Sequence, residues 1–245
     1  MTITDDRILD GRVRLRQSAS GYRAGLDAAL LAAACDAPGG ARVLDAGCGV
    51  GAVMLAAAAR RPEVRFIGLE RDRDAAALGR LNIGLNDMAD RVALIEGDLA
   101  APFSALAQAP FDAVLANPPF FEDANALRGP APAKQGAWIA PEGLEAWTTF
   151  LVKSVREGGT ITLIHRADRL AGILAGLAPK AGSFQILPIH PFADVPAKRV
   201  LVRAVKTGKA PLRLLPGLIL HDRNGAKHTM RVEALLRGTS ALRWD

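Results

Sequence analysis

The sequence predicts an α/β fold built on a doubly wound, seven-stranded, mostly parallel sheet, and three observations predict it. Between residues 41 and 206, short runs rich in β-branched and aromatic residues alternate with Ala- and Leu-rich segments, the rhythm of β-α-β units. A glycine-rich turn, Gly47-Cys48-Gly49-Val50-Gly51, directly follows the first run. Acidic residues stand at or just beyond the ends of the first three runs, at Asp45, Glu70 and Asp98.

Taken in order, strands are expected at 42–45, 64–70, 92–96, 111–116, 159–165, 184–189 and 199–205. Segments 51–60, 73–86, 141–156 and 166–177 repeat apolar residues every three or four positions, as amphipathic helices do. Ahead of this core, Arg12-Val13-Arg14-Leu15-Arg16 alternates cationic and apolar side chains, so a strand there puts three arginines on one face. Asp10-Gly11 is a hairpin-turn signal just upstream. Beyond the core, 212–220 and Asp222-Arg223-Asn224-Gly225 suggest a second hairpin, and 231–237 a short final helix. The expected organisation is one domain with three parts. A hairpin and first helix occupy 1–40, the cofactor-binding catalytic core 41–206, and a basic extension packed on the core 207–245. Gly129-Pro130-Ala131-Pro132 punctuates an expected loop at 122–134.

Composition narrows the function classes. The apolar runs at 28–34 and 53–59 are far shorter than a membrane span, and Met1 to Asp10 holds no apolar leader, so a cytoplasmic protein without a membrane partner is expected. Cys35 and Cys48 form no CxxC, and His165, His190, His221 and His228 have no metal-ligand spacing, so neither a disulfide framework nor a metal is expected. The net charge of +6 is unevenly placed: residues 198–245 hold eleven Lys and Arg against three Asp and Glu, a net +8, leaving −2 for residues 1–197. Such a basic end suits a phosphate-backbone partner, although a solvated surface explains it too.

The glycine turn implies a close approach between backbone and ligand, because glycine lacks a Cβ. Its GxGxG spacing with an acid two residues ahead differs from the GxGxxG dinucleotide fingerprint, which removes the usual reason to expect a pyrophosphate. Glu70, nineteen residues past Gly51, sits where a carboxylate can accept both ribose hydroxyls of an adenosine ligand. Asp98 could accept from the adenine amino group. Cys48 reads as a small loop residue, since no histidine lies nearby in sequence to activate it. A tight turn and three helix-capping acids are the structural alternative.

Asn117-Pro118-Pro119-Phe120 follows the fourth expected strand. Consecutive prolines fix the backbone and remove donors, so the Asn117 amide oxygen and the Pro118 carbonyl become two acceptors for one NH₂ group, with Phe120 as a stacking face. Accepting both hydrogens orients the nitrogen lone pair toward a methyl donor and stabilises the developing positive charge. Termination of a strand is the plainer reading of the same residues.

Together these segments resemble class I S-adenosylmethionine-dependent methyltransferases of the NPPF/NPPY amino type. Over nearly its full length the chain is similar to the bacterial tRNA adenine-N6-methyltransferases that modify the adenine beside the anticodon of a valine tRNA. The similarity is carried by Gly21-Tyr22-Arg23-Ala24-Gly25-Leu26-Asp27, Asp45 to Gly51, Asn117 to Phe120, and Pro196-Ala197-Lys198-Arg199-Val200-Leu201-Val202-Arg203. It implies a Rossmann-like seven-strand sheet whose last strand is antiparallel. S-adenosylmethionine would be held by Asp45, Gly47, Gly49, Gly51, Glu70, Asp98 and Asn117, with Cys48, Arg71 and Leu99 beside them. The expected substrate is an adenine amino group in RNA, with tRNA the expected RNA and Arg14, Arg23, Lys134, Lys198 and Arg199 as candidate substrate contacts. Methylation of a protein glutamine amide, of a DNA amino group, or a non-catalytic RNA scaffold are the alternatives.

Overall fold

The computed structural model describes residues 2–19, 25–120, 143–223 and 225–245, so the 122–134 loop with Lys134, Arg23 and Asn224 lie outside the described residues. The chain opens with a hairpin of β1 (Ile3–Ile8) and β2 (Val13–Ser18), paired antiparallel, followed by α1 (Leu26–Ala34). Its turn needs left-handed backbone at Leu9, Asp10 and Gly11. Val13 and Leu15 are buried while Arg14 and Arg16 face outward, the alternation expected of this strand.

The main sheet contains β3 (Arg42–Ala46), β4 (Arg65–Glu70), β5 (Val92–Glu96), β6 (Phe111–Ala116), β7 (Val155–Arg166), β8 (Ala181–His190) and β9 (Arg199–Lys206). These run in the spatial order β5-β4-β3-β6-β7-β9-β8, parallel except for β9, which is antiparallel to both neighbours. The crossover helices include α2 (Ala52–Arg60), α3 (Arg73–Leu85), α4 (Gly143–Ser154) and α5 (Leu170–Leu177). Strand order reverses at β3, which has β4 on one side and β6 on the other, and this is the position where open α/β sheets bind ligands.

Both faces of the sheet are covered, which is why its strands are apolar without alternation. Val43, Phe66, Leu115 and Ile164 join α1 and α2 in one core; Leu44, Val114, Ile161 and Leu163 join α4 and α5 in the other. All residues of α2 from Ala52 to Ala58 are buried, because small side chains let it fit between the sheet and α1.

Two strands begin earlier than expected. Val155 already pairs with Phe111, and after a bulge that includes left-handed Gly158 regular pairing resumes at Thr160. The expected helix 141–156 therefore stops at Ser154, and that at 166–177 begins as a 3₁₀ turn, Ala167–Arg169.

Among the described residues the expected C-terminal hairpin does not form. β10 (Arg213–Leu214) and β11 (Leu218–Ile219) both add to β8 in parallel and do not pair with each other. β8 would otherwise leave its outer N–H and C=O groups unpaired, and the prolines at 211 and 216 disfavour a self-paired ribbon. Leu215, Leu218 and Leu220 bury against the core as the segment runs along this edge. The final helix, α6 (Met230–Arg237), is capped by the Thr229 side chain and ends at left-handed Gly238. The tail then returns to α1, where the Leu242 N–H and the Trp244 indole N–H donate to the Ala33 and Ala34 carbonyls at 3.0 and 2.9 Å.

Side chains of α3 secure the hairpin. Asn82 accepts from the Arg16 N–H at 2.7 Å and donates to the Arg16 carbonyl at 2.9 Å. Asn86 does the same for Arg14 at 2.8 Å each way. Positions i and i+4 of a helix thus match positions i and i+2 of a strand, and two amides stand in for a neighbouring strand. Asn82 also donates to the Val50 carbonyl at 2.9 Å, linking the hairpin to the glycine turn. Asn82→Ala is expected to lower the unfolding free energy by about 2 kcal/mol, because buried backbone groups lose their partners. Urea denaturation checks this; a loss below about 0.5 kcal/mol would mean that water replaces the amide.

Candidate active site

The turn after β3 is shaped by three left-handed glycines, with φ of 67° at Gly47, 55° at Gly49 and 88° at Gly51. A Cβ on Gly47 would lie 2.5 Å from the Trp147 ring and one on Gly51 2.7 Å from Met54 Cε, whereas one on Gly49 meets nothing within 4 Å. Gly49 therefore borders open space among the described residues. The Cys48 N–H donates to the Leu69 carbonyl at 2.9 Å, tying the turn to the end of β4. Its sulfur packs against Gly68, and burial pushes the thiol well above its ordinary range, so Cys48 has no thiolate to act as a nucleophile.

Asp45 and Glu70 perform different tasks. Asp45 is buried, and its Oδ2 accepts from the Met54 N–H at 3.1 Å in the first turn of α2, whose N-cap glycine offers no side chain. Burial, reinforced by the charge of Glu70, raises its carboxyl to about 8. Glu70 accepts from the Gly49 N–H through Oε2 and from the Asp72 N–H through Oε1, both at 2.8 Å. Its carboxylate thereby joins the turns after β3 and β4 while a lone pair remains on each oxygen. Asp98, beyond β5, accepts from the Ala100 N–H at 2.9 Å and faces Arg71 at 4.0 Å; Leu99 beside it is half-buried.

The other half of the site leaves from β6. Asn117 is half-buried, Pro118 buried, and Pro119 and Phe120 half-buried. His165, at the end of β7, lies 3.3 Å through Nε2 from the Pro119 carbonyl and meets the Phe120 ring edge-to-face at 5.3 Å and 76°. A carbonyl only accepts, so Nε2 is the donor; burial pulls the His165 pKa down, which keeps the ring neutral. The Arg199 guanidinium sits 5.1 Å from the Phe120 centroid, and its Nε donates to Asp27 at 2.8 Å. Burial raises the Asp27 carboxyl, with Arg199 opposing that shift.

The expected residues fall into three groups. Glycine turn, strand-end acids and Asn117 to Phe120 converge on one sheet edge, and Lys198 and Arg199 join Phe120 along a neighbouring cavity. Arg14 points elsewhere, forming a 3.2 Å ion pair with Asp5 inside the hairpin. Arg23 and Lys134 lie outside the described residues. No local signal in the sequence marks Trp147 behind Gly47. His165 carried a weak one, a lone histidine ending a strand at the ligand-binding edge. Nor is the C-terminal charge a free patch. Arg199, Arg203, Lys206, Arg223 and Arg237 pair with Asp27, Asp36, Glu157, Asp194 and Glu233.

Residues 22–129 match the methyltransferase small domain family. A crystal structure described as a predicted O-methyltransferase from Agrobacterium tumefaciens superposes with a TM-score of 0.74 at 29% identity, covering 88% of this chain and 98% of that one. The chain is an S-adenosylmethionine-dependent methyltransferase. Two curated relatives extend the comparison. The methyltransferase is 28% identical over 212 residues to the tRNA1(Val) (adenine(37)-N6)-methyltransferase of Trichodesmium erythraeum, spanning 81% of this chain and 83% of that protein. It is 27% identical over 168 residues to the release factor glutamine methyltransferase of Chlorobaculum tepidum, spanning 64% of this chain and 56% of that protein.

Asp45 supplies a pH test of the buried carboxyl. Between the ordinary carboxylate range and pH 8 the unfolded methyltransferase ionises Asp45 while the fold keeps it protonated, so its contribution to stability falls as pH rises. Asp45→Asn keeps an acceptor for Met54 without that ionisation. Thermal melts from pH 5 to pH 9 should show the Tm difference moving in favour of the variant by at least about 3 °C, the scale of 1 kcal/mol in a domain of this length. A pH-independent difference would place a charged carboxylate in the fold.

Proposed function

We propose that this methyltransferase transfers a methyl group to the exocyclic amino group of an adenine in RNA, with tRNA as the substrate. The observation that carries the proposal is the placement of Asn117-Pro118-Pro119-Phe120 one strand away from the glycine turn, with Phe120 bordering a cavity lined by Lys198 and Arg199. The Trichodesmium relative, named for an adenine-N6 activity on tRNA, supports the acceptor.

In this proposal the Glu70 carboxylate accepts the ribose hydroxyls of S-adenosylmethionine, Asp98 accepts from its adenine, and Gly49 leaves room for it. Asp45 braces the turn through Met54, with Gly47, Cys48, Gly51, Arg71 and Leu99 forming the surroundings. The cofactor contributes an electrophilic methyl when bound. Asn117 Oδ1 and the Pro118 carbonyl accept the two amino hydrogens, leaving the nitrogen lone pair free for the methyl. As the nitrogen–methyl bond formed and the sulfur–methyl bond of the donor broke, leaving a neutral thioether, the nitrogen would carry positive charge that these acceptors would stabilise until a proton left to water. No strong base is required, which agrees with a neutral His165 acting through the Pro119 carbonyl.

A protein glutamine amide offers the same planar NH₂, and the Chlorobaculum relative carries that name. Incubation with labelled S-adenosylmethionine and separate pools of tRNA, ribosomal RNA, DNA and protein decides between them. Label is expected in N6-methyladenine of tRNA and should vanish with Asn117→Ala while cofactor affinity changes less than about threefold. Label confined to protein would overturn the RNA reading.

The cofactor placement has its own test. Gly49→Ala should weaken S-adenosylmethionine binding by about tenfold or more while lowering stability by only about 1 kcal/mol, the left-handed backbone cost. Gly47→Ala, facing Trp147, should instead reduce stability by more than about 2 kcal/mol through overpacking added to that backbone cost. Calorimetry and thermal melts separate the two; equal affinity for Gly49→Ala and wild type would move the cofactor elsewhere.

A further inference from the structure

Flat groups gather where the β8–β9 turn meets the C-terminal extension. The Phe192 ring lies 5.5 Å from that of His221, at 49° between planes, and His221 stacks on His228 at 5.1 Å and 27°. The Arg223 guanidinium covers Phe192 at 4.5 Å and is itself held by Asp194 through hydrogen bonds of 3.0 and 3.1 Å. A hydrogen bond from His221 Nδ1 to the Lys227 carbonyl orients the His221 ring. The β8–β9 turn and the C-terminal extension thus bring four planar groups together.

Between this pile and the catalytic loop lies a cavity of about 410 Å³, a volume suited to a small ligand. Phe120, Asp27, Lys198 and Arg199 line it together with Pro191 and His221. Of the catalytic loop, Phe120 alone contributes among the described residues, so the cavity lies beside the acceptor position and not at it. Asp27 and Arg199 offset each other within a 2.8 Å ion pair, and Lys198 is left as the surplus positive charge of the lining. One positive charge next to an aromatic ring matches the chemistry of one nucleotide, a phosphodiester and a flat base.

We propose that this cavity is a subsite for the nucleotide flanking the methylated adenine, whose base stacks on His221 and whose phosphate is held by Lys198. The inference rests on the RNA reading above. It makes the segment after residue 206 a working part of the site: the extension supplies His221 and, behind it, His228 and Arg223.

The test uses an anticodon stem-loop RNA with adenine at position 37, intact and in versions with one flanking nucleotide at a time made abasic. Binding is read by fluorescence anisotropy and methyl transfer in parallel, on the full chain. One abasic position is expected to weaken wild-type binding by about 5- to 100-fold, the scale of one base stacked on an aromatic side chain. His221→Leu and Phe192→Leu should weaken the intact RNA yet lose nothing further on that abasic RNA, the signature of two changes to one contact. Leucine keeps the apolar volume and removes the flat face. Lys198→Gln, at an exposed position, is an independent arm expected to lower the salt slope of binding by about one phosphate contact. Equal weakening of intact and abasic RNA by the leucine variants, or an unchanged salt slope in Lys198→Gln, overturns the subsite. Binding that follows the expected pattern without methyl transfer would refute the acceptor assignment alone. A wild-type protein that ignores the stem-loop but methylates a protein glutamine overturns both.

Discussion

The pairing of β3 with β6 is the constraint on which the site depends. Ala46 stands opposite Ala116, so the glycine turn and the Asn117 loop leave the sheet side by side at the same height. β4 pairs with the other edge of β3, placing Leu69 opposite Ala46 and Glu70 within 2.8 Å of the Gly49 N–H. A ligand contacting both turns needs no movement of the framework, because parallel strands deliver all their carboxyl ends to one edge. A shift of one residue in this register would reverse the faces of Val43 and Leu44, which are buried in opposite cores, and so the register is strongly specified.

Around that edge, charges are arranged by burial. Asp45 lies deep and is held protonated while it braces the start of α2. Glu70 lies half-buried and is anchored by two backbone donors. Two carboxyls near each other therefore differ in role: one is structural and the other is available to hydroxyl donors. Asp27 and Arg199 form a third arrangement, in which an ion pair spanning 172 residues of sequence sets a cation over the Phe120 ring. With His165 at the ring edge and on the Pro119 carbonyl, the Asn117 to Phe120 loop is supported from α1, β7 and β9 together.

The hairpin and the tail stabilise the side of the sheet that carries α1. Asn82 and Asn86 hold the outer edge of β2, and Leu242 and Trp244 satisfy carbonyls at the end of α1. Among the described residues, five of the eleven Lys and Arg between residues 198 and 245 are held in ion pairs with acids. Arg203 pairs with Asp36 and Lys206 with Glu157, so an end that is strongly basic in sequence is more nearly balanced in space. Beside Phe120 the cations are local, at Lys198 and Arg199.

The sequence by itself determined the seven-strand sheet, the glycine turn and the Asn-Pro-Pro-Phe loop, because hydrophobic period, glycine and proline act over a few residues, while the antiparallel last strand was legible only through the family resemblance. β5 and β6 match their expected boundaries, and α3 ends one residue sooner. Contacts between distant segments were decided only by the tertiary structure. A tail of leucines and prolines is compatible with a hairpin or with an edge strand, and the unpaired edge of β8 selected the second. Trp147 behind Gly47 and the partnership of Asp27 with Arg199 carry no local signal, and His165 only a weak one, since each contact joins residues from different elements. Charge is the clearest case: counting residues reveals how many cations a segment has, but only packing decides which of them an acid has already claimed.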